Sequence, residues 1–190
     1  ILADGRQAIS LEELAMESYY SLGNSSVLTA EVSRQVKKNT VATGCCFAEV
    51  EVDMKLGKIK VLDIVNVHDS GILLNPQLAA MQVHGGMSMG MGCGLSEQLL
   101  LDEKTGRPLN GTLLDYKLMT TMDTPDLTAE FVELNDPMGP YGNKALGEPP
   151  AIPGAPAIRN AVLHATGIGF AEIPLTPQRL IDGFTKAGLI

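Results

Sequence analysis

The run "NPQLAAMQVHGGMSMGMGCGLSEQ", residues 75 to 98, limits the fold more than any other stretch. Asn75 followed by Pro76 is a helix start, with asparagine as N-cap and proline at the first helical position. Yet Gly85, Gly86, Gly90, Gly92 and Gly94 would each cost about 1 kcal/mol relative to alanine in an isolated helix. Packing has to offset that cost. At i+4 spacing Gln82, Gly86, Gly90 and Gly94 form one stripe, along which another backbone or a flat ligand can come close. Gln82 offers a donor and an acceptor beside it. Methionines at 81, 87, 89 and 91 suit irregular contacts. The same spacing also describes a tightly packed core helix.

Around this helix the chain reads as a mixed α+β fold. "SLEELAMESYYS" starts with Ser10, carries Glu13 three residues later and repeats apolar residues at helical intervals, which is a capping box and a short helix. In "VATGCCFAEVEVDMKLGKIKVLDIVNVHDSG" two strands flank a turn at Leu56-Gly57-Lys58 and form an antiparallel hairpin, the second strand lacking strict alternation as if buried on both faces. "LLLDEKTGRPLNGTL" reads as a strand followed by a turn-rich loop, and "LTAEFVEL" as another strand. Pro156 can open the helix "AIRNAVLHAT", which stops at Gly167, and Thr176-Pro177 starts a last short helix. The expected arrangement packs strand pairs on the glycine-rich helix and the two C-terminal helices. With no repeat and no composition break, residues 1–190 read as a single domain.

Six of the eleven prolines crowd into residues 137 to 156, making a fixed, irregular loop. In it "KALGEPPAIPG" sets Glu148 between a glycine and two prolines. A carboxylate held on such a frame can be positioned accurately and partly desolvated, the conditions for a general base. Lys144, four residues earlier, would oppose the effect of desolvation if it came close. The plainer reading is a glutamate capping a nearby turn.

Other chemistries find less support. A net charge of −8 without a basic stripe argues against nucleic acid. Arg34, Lys37 and Lys38 are the densest basic group and read as a solvated face. No apolar run spans a membrane and no leader opens the chain, so the expectation is a cytoplasmic protein. Three cysteines, two of them adjacent, fit that compartment. The start at Ile1 reads as a piece of something longer. His68, His84 and His164 are separated and accompany no nucleophile elbow, although His68 beside Asp69 could form an oriented pair. Neither a metal-ligand spacing nor a nucleotide fingerprint occurs.

Four ordered motifs add a resemblance: "VHDSGILLNPQLAAMQVHGGMSMGMG", "LLDYKLMTTMDTPDLTAEFVE", "YGNKALGEPPAIPGAPAIRNAVLHATG" and "LTPQRLIDGFTKAGLI". Over residues 40 to 190 the chain resembles the C-terminal part of the molybdenum-binding subunit of bacterial xanthine dehydrogenases, members of the molybdenum hydroxylases. The first forty residues fit as the preceding segment.

The resemblance implies a molybdenum-pterin cofactor, molybdopterin or its cytosine dinucleotide form, whose dithiolene sulfurs hold the metal without a protein ligand. It places the family's catalytic glutamate on Glu148, which would take the proton from a molybdenum-bound hydroxyl so that the oxygen attacks an electron-poor ring carbon. It places the cofactor-binding glutamine on Gln82, with Lys144 and Gly147 as cofactor neighbours. FAD and 2Fe-2S clusters are then expected on partner chains or domains, that is, on an iron-sulfur subunit and an FAD subunit. A purine such as hypoxanthine or xanthine is the implied substrate. An aldehyde, another N-heterocycle, or a noncatalytic interaction module remain as alternatives. The substrate pocket would lie upstream, so these 190 residues alone are expected to be inactive and, with apolar area uncovered beside Gln82 and Glu148, able to self-associate.

Overall fold

The computed structural model describes residues 9–20, 27, 29–33, 35 and 38–190. Arg34 and Lys37 of the basic group lie outside them, and Lys38 is exposed. The chain divides into two units, Ile1–Lys37 and Lys38–Ile190. The first contains helix α1, Leu11–Tyr20. Its capping box closes as the sequence implies: the Ser10 amide donates to Glu13 Oε2 at 3.0 Å, and the Glu13 amide donates back to Ser10 Oγ at 3.1 Å.

The second unit is built on a three-stranded sheet in the order β1-β2-β3. Strands β1 (Thr43–Asp53) and β2 (Lys58–Asp69) form the antiparallel hairpin, irregular between Glu49 and Val50. Gly57 closes its turn with φ +60, and a Cβ there would lie 2.4 Å from the Pro177 carbonyl oxygen. Strand β3 (Leu127–Phe131) lies parallel to β2 on its other side. From Ile64 to Asp69 β2 alternates buried and half-buried residues, so one face lies on the core and the other is only partly covered, unlike the strand buried on both faces that its composition suggested.

Helix α2 (Pro76–Leu95) carries the glycine run, with Asn75 Oδ1 accepting from the Leu78 amide at 3.0 Å. Helix α3 (Gly154–Thr166) begins two residues before Pro156, a position inside the first turn where no amide is needed. It ends at Gly167 in the left-handed conformation, φ 76. Helix α4 (Pro177–Lys186) is capped by Thr176. No helix among the described residues is long and apolar enough to cross a membrane.

Two apolar clusters fix these elements. Val61 and Ile64 of β2, Val83, Met87 and Met91 of α2, and Ile158 of α3 form the first. Val162, Phe170, Leu175, Leu180 and Phe184 form the second, under α4. Full burial of one such large side chain stabilises by about 1.5–3 kcal/mol, so each cluster outweighs several helical glycines.

One expected strand is absent. Leu99 to Leu101 form only an isolated bridge, Leu101 to Pro108. Here the Asn110 side chain accepts from the Leu100 amide at 2.8 Å and donates to the Gln98 carbonyl at 2.6 Å. One asparagine thus satisfies backbone groups that a neighbouring strand would otherwise take.

Candidate functional site

The glycine stripe of α2 receives the proline loop. A Cβ on Gly86 would lie 2.5 Å from Pro150 Cβ and 2.8 Å from its carbonyl carbon, and one on Gly90 would lie 3.0 Å from Gly154 Cα. Gly94 faces Ala155. Of the two partners left open by the spacing, a second backbone is the one that approaches. It is the segment carrying Glu148. Gly85, one position round the helix, has nothing within 4 Å of a Cβ.

Prolines cannot donate from their own nitrogen. Pro149 and Pro150 therefore leave the loop few amides with which to anchor itself, and its carbonyls carry the tethering. Gln82 Nε2 donates to the Gly147 carbonyl at 3.1 Å. Asn66 Nδ2 donates to the Pro150 carbonyl at 2.9 Å. Between them the Ala151 amide closes a turn onto the Glu148 carbonyl at 3.0 Å. Gln82, Gly147 and Glu148 are each exposed, so within this chain Glu148 lacks the partial desolvation that its proline frame led one to expect.

Lys144 goes elsewhere. Its Nζ lies 2.5 Å from Asp69 Oδ2, and both side chains are about nine-tenths buried (10% and 11% exposed). Its backbone amide donates to the Ser70 carbonyl at 2.7 Å. This ties the start of the loop to the end of β2, so Lys144 is paired with Asp69 and not with Glu148. Gln82 and Lys144 share the wall of a small cleft of about 260 Å³ with Ser70, Asn75, Leu78 and Asn143, whereas Gly147 and Glu148 lie outside it.

The Lys144 ammonium, donating to Asp69, is the main reason that this carboxyl is held below its ordinary value, helped by the Gly71 amide and opposed by burial. A depressed carboxyl contributes fully above its unfolded value, near pH 3.9, and that contribution vanishes as pH falls through the lower folded value. Replacing Lys144 with methionine is expected to cost about 1–3 kcal/mol at pH 7, since Asp69 would stay enclosed without its partner. In urea unfolding, the gap between the two proteins should narrow as pH drops below about 4. A gap independent of pH would show that the pair contributes nothing.

His68 does not form the pair with Asp69. It is 1% exposed on β2, and neither ring nitrogen has a partner among the described residues. Burial lowers its pKa, so the ring is neutral at pH 7. Ser70 Oγ and Asn66 Oδ1 are likewise buried without partners. Asn66 carries no local motif that marks it in the sequence. Its signal was an amide in the middle of the apolar run "DIVNV". Tyr141 was missed as well: it sits in the left-handed region at φ 53 beside Pro140, a conformation that costs a bulky residue about 1–3 kcal/mol.

Among the described residues no three histidine, cysteine or acidic side chains converge to hold a metal ion. Burial pushes the Cys46 thiol up to about 11, with Cys45 adding to the shift, so it stays protonated at neutral pH.

The chain is similar to several known proteins. The molybdopterin cofactor-binding domain family matches residues 2–125. The chain is 50% identical over 182 residues to a putative xanthine dehydrogenase molybdenum-binding subunit of Escherichia coli K12, covering 96% of this chain and 24% of that protein. It is 34% identical to an aldehyde oxidoreductase molybdenum-binding subunit of the same organism, over 83% of this chain and 21% of the relative. Among solved structures, a reconstituted CO dehydrogenase from Oligotropha carboxidovorans superposes with a TM-score of 0.72 at 27% identity, over 78% of this chain and 19% of that one. The chain therefore spans about a fifth to a quarter of the length of these relatives.

Proposed function

The chain belongs to the molybdopterin cofactor-binding domain family, and from that premise we propose that it forms part of a molybdenum hydroxylase that hydroxylates a purine ring carbon, with water as the oxygen source. The observation that supports this reading is the bond from the exposed Gln82 amide to the carbonyl of Gly147, the residue before exposed Glu148.

The residues present suit a pterin cofactor. A pterin ring is recognised by amide-type donors and acceptors, and Gln82 keeps one amide hydrogen and one oxygen beyond its bond to Gly147. Gly147 leaves open space where a side chain would stand. Gln82 and Gly147 would hold the cofactor's edge, and Lys144 would hold the loop by its pair with Asp69. When bound, the cofactor would supply a two-electron acceptor at a metal carrying its own sulfur ligands. Glu148 then serves as general base, its carboxylate oxygen taking the proton from the attacking hydroxyl. Its place on a clamped loop limits where the backbone that carries this side chain can go, which helps to bring the oxygen within reach of the proton.

Electrons would leave through an iron-sulfur subunit and an FAD subunit of the same cytoplasmic enzyme. A second reading, an aldehyde as substrate, is favoured by the similarity to the aldehyde oxidoreductase subunit. The test is to purify the intact protein with its partner chains and assay hypoxanthine, xanthine and a panel of aldehydes with an artificial electron acceptor. Turnover of purines is expected. Turnover of aldehydes alone would replace the first reading by the second, and turnover of none of them by a molybdenum-loaded protein would overturn both.

A further inference from the structure

We propose that Asn66 is a positioning residue for Glu148, acting through the Pro150 carbonyl; this rests on the reading of Glu148 as base. Asn66 stands at the centre of the sheet, opposite Cys46 of β1 and Ala129 of β3. It is fully buried, two residues from Ile64, which belongs to the first apolar cluster. A buried amide is costly unless hydrogen-bonded. Among the described residues Oδ1 has no partner, so the amide is only half satisfied. Because a carbonyl oxygen only accepts, the bond to Pro150 also fixes which end of the amide faces the loop. Leucine would fill a similar volume without that cost. What leucine lacks is the donor, and the one bond the donor makes goes to the loop.

The geometry gives that bond a purpose. Pro150 is fully buried between two fixed surfaces. Gly86 of α2 presses on its ring and backbone, while Asn66 of β2 holds its oxygen. Glu148 lies two residues before, joined to this anchor by the turn from Ala151 to its own carbonyl, and Gln82 holds the residue on its other side. The backbone of Glu148 is thus bracketed by two side-chain amides, one from the helix and one from the central strand. Without Asn66 the bracket opens on the sheet side, and the backbone that carries the carboxylate can shift away from the reacting hydroxyl.

The test uses the intact, molybdenum-loaded protein with its partner chains, as wild type, Asn66→Leu, Glu148→Gln and the double variant. In Asn66→Leu, kcat is expected to fall about 100-fold, the order expected when a catalytic group shifts by 1 Å, with KM and molybdenum content unchanged. Hydrogen exchange at the Ala151 amide should accelerate, while amides of the β1-β2 hairpin keep their protection. In the Glu148→Gln background Asn66→Leu should cause no further loss, because residues acting as a unit are non-additive.

Wild-type kcat in Asn66→Leu, unchanged exchange at Ala151, or an equal further loss in the Glu148→Gln background would overturn the proposal while leaving the base in place. Full activity in Glu148→Gln would instead overturn the base reading itself. Should Asn66→Leu not accumulate, Asn66→Thr removes the same reach with a residue suited to a strand, and the same outcomes apply.

Discussion

Glu148→Gln in the intact, cofactor-loaded protein is expected to lower kcat by about 10²–10⁴-fold, the range that a positioned general base supplies. Glutamine keeps the size of glutamate and one acceptor oxygen, and loses the charge and the ability to take a proton. The loop should not move, because its anchors are the Gly147 and Pro150 carbonyls and not the Glu148 side chain. KM and molybdenum content should therefore stay at wild-type values, and the loss should appear in kcat and kcat/KM equally, as for an interaction made only in the transition state. Steady-state kinetics beside a metal determination checks this. A raised KM with kcat intact would make Glu148 a binding residue, and unchanged kinetics would remove it from the chemistry.

The second large effect is on stability. Gly86→Val is expected to destabilise this chain by about 3 kcal/mol, the upper end of what overpacking usually costs. The first atom of any side chain there meets Pro150 and the Ala151 amide nitrogen at 2.5–2.9 Å. Two of the three nearest atoms are backbone, so relief requires moving the loop and not merely turning a rotamer. For a protein of this size the melting temperature should drop by about 6–12 °C. Gly85→Ala is the internal control. With open space around it, alanine should stabilise by about 0.5–1 kcal/mol through its higher helix propensity. Two adjacent glycines in one helix should thus respond with opposite sign in a single series of thermal melts. Equal responses would show that Gly86 does not set the distance between helix and loop.

What the sequence revealed and what it hid follow from how far each partner lies along the chain. Ser10 with Glu13, Asn75 with Leu78, Thr176 with Arg179 and Gly167 with Leu163 are satisfied within four residues, so composition displays them directly. The stripe of Gly86, Gly90 and Gly94 announced a close approach but could not say what approaches, since Pro150 and Gly154 are distant in sequence. The expected strand at Leu99–Leu101 failed because apolar residues indicate burial or pairing, and here the Asn110 side chain and the backbone of Arg107 and Leu109 meet the pairing without a strand. Lys144 meets Asp69 across 75 positions, and no spacing rule reaches that far. Glu148 was conspicuous through its proline frame. Asn66, which holds that frame, looked like one polar residue in an apolar run.

The parallel pairing of β3 with β2 has a consequence for the order of assembly. A two-stranded hairpin closes over a few residues and forms within about 1–10 μs. β3 can join β2 only after the whole segment 70–126, helix α2 included, has been folded back. Contacts between residues far apart in sequence form slowly, because the chain loses loop entropy before it gains them. The tether from Asn66 to Pro150 joins positions 84 apart. The strand that anchors the base is therefore available early, and the base itself is locked late. Changes at Asn66 would then register in the rate at which the folded protein opens rather than in the rate at which it forms.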